Sequence, residues 1–449
     1  MVEVSAVNQV QTPIMIRKGI LSILFWSIIS AAFIGPGTVT TAALAGSVFG
    51  LDLLWAVAFS TMACIVLQES AARIKIGSGL SLGEALALRY SSNQGFRVRI
   101  MVAATVIFGC AAYQAGNILG SVAGSSLILD IPTPLITTSI VLICGTILWF
   151  GNYKWIANFL GAVVAIMGVS FVTLALHQEF TITEILGSSF IPTFPENSSL
   201  LVVSLVGTTI VPYNLFLASG ISQSQSLLEM RFGMAIAILL GGLISMAVLI
   251  SGTSVLGTFS FEALALAMNE ALGEWAGIMV GIGLFAAGFT SCLTAPLASA
   301  VTAQSMFNKS QNWHHKSRNY RMVWGAVLIA GFGFGISGVQ PIPAIIFAQA
   351  LNGVLLPIVA IFLVITMNDQ VLLSKKFRNN FFSNLVSLIV VWAATLIGLI
   401  NISKALGKIL NTAILEAPWF FKVNLGLAVL ITIFTIMMLL KQPTKIENP

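Results

Sequence analysis

The sequence predicts an all-α polytopic membrane protein. Of its 449 residues, 57% are hydrophobic and only 8% are charged. A soluble domain of ordinary composition carries about 25% charged residues, so this chain cannot cover a water-facing surface of its size with charge. That excludes a soluble enzyme, a nucleic-acid binder and a disordered chain. The apolar runs reach the roughly 20 residues that a helix needs to cross the hydrocarbon core. They also lack the two-residue alternation of an outer-membrane barrel. The natural solvent is therefore a lipid bilayer.

Twelve such runs are expected as spans, at about 20–47, 52–72, 98–127, 134–151, 155–177, 199–223, 233–257, 275–305, 322–339, 342–366, 382–402 and 419–440. The C-terminal one is separable, which leaves eleven or twelve helices. Residues 1–19 read as a tail. Arg17 and Lys18 ahead of an apolar run resemble a signal-peptide start, but the run is longer than a usual signal core, so it reads as an uncleaved first helix. The core is expected over 20–402, with 403–449 forming a further helix and tail.

Charge orients the chain. With the N-terminus cytoplasmic, 18 of the 21 Lys and Arg fall on the cytoplasmic side, and only Lys404, Lys408 and Lys422 on the other. Positive residues concentrate on cytoplasmic loops, so both termini are expected there, in an inner or plasma membrane. The net charge of +6 belongs to this bias and not to nucleic-acid binding. The acidic residues Glu179, Glu184, Glu196, Glu262, Glu270 and Glu274 gather instead on outer loops, where they read as ordinary solvated residues. The paired His314 and His315, on a basic loop, and His177, at a span end, read the same way.

Two spans are interrupted at corresponding places. The first reads Ile34-Gly35-Pro36-Gly37-Thr38-Val39-Thr40-Thr41, and the sixth reads Val206-Gly207-Thr208-Thr209-Ile210-Val211-Pro212-Tyr213-Asn214. Proline removes a helical hydrogen bond and clashes with the preceding turn, and glycine loosens the backbone beside it. Five spans separate the breaks, so the first span runs outward and the sixth inward. Gly/Pro-interrupted spans in corresponding halves point to inverted repeats with a binding site between them, here expected over about 20–177 and 199–366, with an eleventh helix beyond. Freed backbone groups at membrane depth must be satisfied by protein, water or a bound solute. A pair of simple proline kinks is the plainer alternative.

At these residues the chain resembles the Nramp family of divalent metal transporters. Gly35-Pro36-Gly37-Thr38, with Ala45 to Gly50 downstream, has the layout of the family's Asp-Pro-Gly-Asn segment, and Val211-Pro212-Tyr213-Asn214-Leu215 that of its Met-Pro-His-Asn-Leu segment. Gln349 and Pro357 match a tenth-helix Gln and Pro. The resemblance implies a LeuT-like fold of two inverted five-helix repeats with discontinuous helices 1 and 6. It also implies a midplane metal site, often with proton coupling. Yet the family's metal-binding Asp falls on Gly35, its Asn on Thr38, its Met on Val211 and its His on Tyr213. Its third-helix Asp and Glu, linked to proton movement, fall on Gln114 and Asn117. The resemblance therefore implies a location but not its chemistry.

The residues agree, since no acidic residue lies near the middle of a span. The candidate substrate-binding set is Gly35, Thr38, Thr41, Thr208, Thr209, Val211, Tyr213, Asn214 and Gln349. The helix breaks themselves fall at Pro36, Gly37, Gly207 and Pro212. A dehydrated Mn²⁺ or Fe²⁺ finds no thiolate, imidazole or carboxylate there. Three cargoes fit: a hydrated Mg²⁺-like ion, because Mg²⁺ sheds water reluctantly; a small anion or zwitterion held by helix N-termini; or a neutral polar solute. The hydrated divalent ion is the favoured reading. A non-transporting membrane sensor is the alternative of another class. Titratable groups are absent from the centre, so transport is expected to be passive or coupled by another route. Without a P-loop or a catalytic triad the chain is not expected to be an enzyme, and no cofactor or nucleic-acid partner is expected. The sequence sets no oligomeric state, and a monomer is compatible with it.

Smaller features read structurally. Cys64, Cys110, Cys144 and Cys292 sit in apolar runs as packing residues. Glu69 and Arg73 form an i,i+4 pair at the inner end of the second span. Gln114 and Asn117 share one face of the third helix and suit interhelical hydrogen bonding. Trp55, Trp149, Trp155, Trp275 and Trp419, near span ends, read as interface anchors.

Overall fold

A computed structural model describes residues 34–151, 154–221, 226–307, 313–410 and 418–440. The proposed N-terminal tail and the first part of the first span lie outside these residues, as do Arg17, Lys18, Lys309, Lys441 and Lys445. The described chain is helical throughout. The first half holds α1 (Pro36–Phe49), α2 (Leu54–Ser78), α3 (Leu82–Arg89), α4 (Asn93–Ser126), α5 (Thr133–Phe150), α6 (Lys154–Leu176) and α7 (Ile182–Phe190). The second holds α8 (Ser199–Thr209), α9 (Pro212–Ile221), α10 (Leu227–Gly252), α11 (Phe261–Leu272), α12 (Glu274–Phe307), α13 (Arg318–Ile336) and α14 (Pro341–Met367). Helices α15 (Phe381–Ile409) and α16 (Pro418–Leu440) follow.

Ten stretches among the described residues are long and apolar enough to cross a membrane, one of them formed by α8 and α9 together. The expected ninth span coincides with α13, which is not among those ten. It starts earlier than the apolar run because the Ser317 side chain accepts from the Tyr320 N–H, which places Arg318 and Arg321 inside the helix. The expected seventh span also shifts, to α10. A capping box between Ser226 and Glu229 starts it at Leu227, since a hydroxyl and a carboxylate satisfy orphan N–H groups of the first turn. The expected eleventh span runs on to Ile409.

Three short helices, α3, α7 and α11, were not legible as apolar runs. Helix α7 opens on a capping box in which the Thr181 N–H and hydroxyl both donate to Glu184, holding its carboxyl below the usual range. Trp55 departs from the anchor reading. It is buried and its indole donates to the Thr193 carbonyl at 2.9 Å, tying the start of α2 to the segment after α7. Trp149, Trp275 and Trp419 are exposed, as interface residues would be, whereas the Trp155 side chain lies outside the described ones.

Packing is close because the contact residues are small. Helices α1 and α10 touch backbone to backbone: a Cβ on Gly46 would strike the Leu249 carbonyl, and one on Gly252 the Ala43 carbonyl. Helix α4 packs along α12, α13 and α14, while α14 also lies against α8. Small residues let helices approach this way where no hydrophobic effect drives them together. All four cysteines are buried and free.

Candidate functional site at the two helix breaks

The break in the sixth span lies among the described residues, and the described part of the first span starts at its Gly-Pro-Gly. Gly35 is extended (φ −91°, ψ 175°), and α1 starts immediately after it with Pro36 in its first turn. This lies within the apolar run expected over 20–47, so a helix begins at membrane depth. Proline at that position is favoured, because its missing N–H would be unpaired there in any case. In the sixth span α8 ends at Thr209, Ile210 leaves the helical region (φ −101°, ψ 81°), and α9 starts again at Pro212. The interruption expected in the sixth span is present, and a continuous kinked helix does not describe it; residues 20–33 of the expected first span lie outside the described residues.

The two breaks touch. The Thr38 and Thr208 hydroxyls lie 3.0 Å apart, joining the start of α1 to the end of α8. Helix α14 closes the other side: Gly37 lies directly beneath the Gln349 side chain, and Gly207 lies against the α14 backbone at Gln349 and Gly353. No side chain larger than hydrogen fits at Gly207 without moving backbone, which is why glycine stands there. From α4, the Tyr113 hydroxyl donates to the Thr208 carbonyl at 3.1 Å and the Gly207 carbonyl at 3.4 Å. The Tyr113 ring meets that of Tyr213 edge-on, with centroids 5.8 Å apart.

Thr38, Thr41, Thr208, Thr209, Val211, Tyr213, Asn214 and Gln349 are all buried. Several of their polar atoms have no hydrogen-bond partner in the protein: Thr41 Oγ1, both amide atoms of Asn214 and both of Gln349. Unpaired buried polar atoms cost about 1–3 kcal/mol each, and these are the atoms at the breaks available to a polar ligand. Thr209 contributes less than expected, because its hydroxyl donates back to the Leu205 carbonyl of its own helix. Likewise Thr40 donates to the Pro36 carbonyl.

The α4 amides face another way. Gln114 donates to the Cys292 carbonyl of α12 at 3.3 Å and also lies beside Gly331 of α13. Helix α4 turns Tyr113 and Gly116 toward the breaks, and a Cβ on Gly116 would lie 3.8 Å from the Gln349 amide nitrogen. The Gln114 Oε1 and Asn117 Nδ2 atoms have no partner. Tyr113 is the site neighbour that the sequence did not single out; its only signal was its place one residue before Gln114.

No group of three or more His, Cys, Asp or Glu that could hold a metal ion occurs among the described residues. The donors at the breaks are neutral oxygens and nitrogens. The acid–base pairs lie elsewhere, and among those of the described residues only Arg89–Asp369 is buried on both sides. Asp369, after α14, pairs with Arg89 of α3. Glu69 joins Arg73 at 3.0 Å and Arg231 at 2.8 Å, and Arg73 reaches the Phe377 and Arg378 carbonyls and Asn379. The expected i,i+4 pair is thus part of a network linking α2 to α10 and to the segment before α15.

A family profile described as natural resistance-associated macrophage protein-like matches residues 27–404. The chain belongs to the Nramp family. It is 24% identical over 375 residues to the divalent metal cation transporter MntH of Verminephrobacter eiseniae, covering 78% of this chain and 82% of that protein. It is 24% identical over 392 residues to the protein of the same name from Staphylococcus saprophyticus, covering 80% and 86%. The structure of a manganese transporter from Eremococcus coleocola superposes with a TM-score of 0.69 at 17% identity over 92% of each chain. Mhp1, a nucleobase-cation-symport-1 family transporter, superposes at 0.55 with 17% identity over 94% of this chain and 92% of that one. These likenesses establish the fold of this Nramp chain, a multi-pass helical membrane protein of the LeuT-like class with discontinuous helices 1 and 6.

Proposed function

We propose that this Nramp chain moves a divalent cation across the membrane through the break site, and that the ion travels with most of its water shell, as Mg²⁺ would. The observation that supports this reading is the donor set: neutral, buried and partly unpaired, with no carboxylate, imidazole or thiolate among the described residues at the breaks. A bare divalent ion at this depth faces a large desolvation cost with no anion to offset it. A hydrated ion presents bound waters instead. Those waters donate hydrogen bonds, and Gln349 Oε1, Asn214 Oδ1 and Thr41 Oγ1 are acceptors without partners. The Gly207 and Thr208 carbonyls at the end of α8 already accept from the Tyr113 hydroxyl.

Access alternates in this reading: the half-helices α1 and α9 move relative to the rest and open the site to one side at a time. Gln114 and Asn117 carry no titratable proton, so the transport step is not coupled to protons through α4. The MntH relatives are named as divalent metal cation transporters, which favours a divalent cargo. A second reading rests on a specific feature. Helices α1 and α9 both point their N-termini at the break, and helix N-termini favour negative charge; that suits a small anion or zwitterion.

Purified protein in liposomes carrying an internal Mg²⁺ indicator and an internal pH dye separates these readings. Saturable Mg²⁺ entry without matching acidification is the expected result. Absence of Mg²⁺ flux together with uptake of an anion or zwitterion would establish the second reading instead, and acidification in step with Mg²⁺ entry would refute uncoupled transport.

A further inference from the structure

The α5–α13 corner holds a second polar feature, remote in sequence from the breaks. A cavity of about 360 Å³ is lined by Trp149 and Met322 together with Lys316, Arg318 and Arg321. Trp149 closes the last turn of α5; Lys316 precedes α13, and the two arginines occupy its first two turns. The Arg321 guanidinium lies over the Trp149 ring, 3.7 Å from its centroid. None of the three basic head groups has an ion-pair or hydrogen-bond partner among the described residues. The sequence supplies no acid nearby to either wall: there is no Asp or Glu between residues 131 and 178, nor between 275 and 368.

Three uncompensated cations in one notch differ from a solvated charged loop. The Arg321 guanidinium rests on the Trp149 ring with its N–H donors unbonded among the described residues, and the fork of such donors matches phosphate oxygens. The rim is apolar and exposed, with Trp149 at 53% and Phe150 at 78% of full exposure. Aromatic residues at a span end mark the headgroup level of the bilayer. A basic notch at that level, with the exposed rings of Trp149 and Phe150 at the end of α5 beside it, suits a lipid phosphate better than a free ion.

We propose that this notch is a binding site for the phosphate of an anionic phospholipid, with Lys316, Arg318 and Arg321 as ligands and Trp149 as the platform that orients Arg321. The ligand class is a phosphodiester headgroup such as that of phosphatidylglycerol. This proposal is independent of the cargo.

The test uses the full chain, delipidated in zwitterionic detergent. Retention of phosphatidylglycerol and phosphatidylcholine is counted by native mass spectrometry, and thermal unfolding is followed with each lipid and with inorganic phosphate. Wild type is expected to retain phosphatidylglycerol in preference to phosphatidylcholine and to be stabilised by it. The triple variant Lys316→Gln/Arg318→Gln/Arg321→Gln is expected to lose on the order of tenfold or more in retention. Lys375→Gln/Lys376→Gln, which removes charge from another exposed segment of the same face, is expected to retain the lipid as wild type does. Trp149→Leu keeps every charge and is expected to lose about threefold through the lost stack; it carries the test if the triple variant does not fold. Equal retention by the triple variant and wild type overturns the proposal, as does an equal loss in the Lys375/Lys376 control. Equal stabilisation by inorganic phosphate at the same concentration overturns the lipid assignment.

Discussion

At the residue scale, the break site is defined by what replaces charge. Gly35 stands where the family resemblance puts a metal-binding Asp, and Val211 where it puts Met. The structure shows room at the first position: a Cβ on Gly35 would lie 3.5 Å from Ser291 Oγ, an ordinary contact, and its backbone is in a region any residue adopts. Gly35→Asp combined with Val211→Met is therefore expected to fold and to gain Mn²⁺ and Cd²⁺ binding. Calorimetric titration checks it, and an unchanged heat trace in the double variant would contradict the placement of these two positions. Glycine, threonine and proline spacing made the breaks legible in the sequence because they violate helix chemistry locally. Tyr113 was not legible. Its role depends on which face of α4 meets α8, and an apolar helix surrounded by others gives no amphipathic signal to assign its faces. Gln114, by contrast, makes an interhelical bond to α12 of the kind its amide suits.

At the element scale, small residues and a few buried pairs decide how the rods sit. A Cβ on Gly207 would meet the α14 backbone, whereas one on Gly161 of α6 would meet nothing within 4 Å. Gly207→Ala is expected to lower stability by about 1–3 kcal/mol through overpacking, and Gly161→Ala to leave it nearly unchanged. Melting temperatures in detergent check the pair; equal melting would show that α8 and α14 are not held in close contact. The Asp369–Arg89 pair is buried on both sides, and Asp369 also accepts from the Val371 and Leu372 N–H groups. Removing one partner of such a pair leaves an uncompensated charge, at a cost of about 3–5 kcal/mol. Arg89→Gln is thus expected to be severely destabilised, and Arg89→Gln/Asp369→Asn less so. A double variant no more stable than the single one would contradict the coupling. Helix α3 itself escaped the sequence reading because eight residues are too few to register as a span.

At the scale of the whole molecule, ten of the twelve apolar runs correspond to helices long and apolar enough to cross a membrane among the described residues, because backbone groups in lipid leave few alternatives to helices. Hydropathy could not predict where capping boxes move helix starts, since those depend on single side chains at the interface. The molecule presents two polar places of opposite character: a buried neutral centre at the breaks and a basic notch at the α5–α13 corner. The central claim concerns the first, a neutral cage that takes a divalent ion with its water. Saturable Mg²⁺ uptake into proteoliposomes, measured with and without equimolar Mn²⁺, tests it most directly. The account predicts uptake that Mn²⁺ inhibits only weakly and that Asn214→Leu sharply reduces. Uptake of Mn²⁺ in strong preference to Mg²⁺, unaffected by Asn214→Leu, would contradict it.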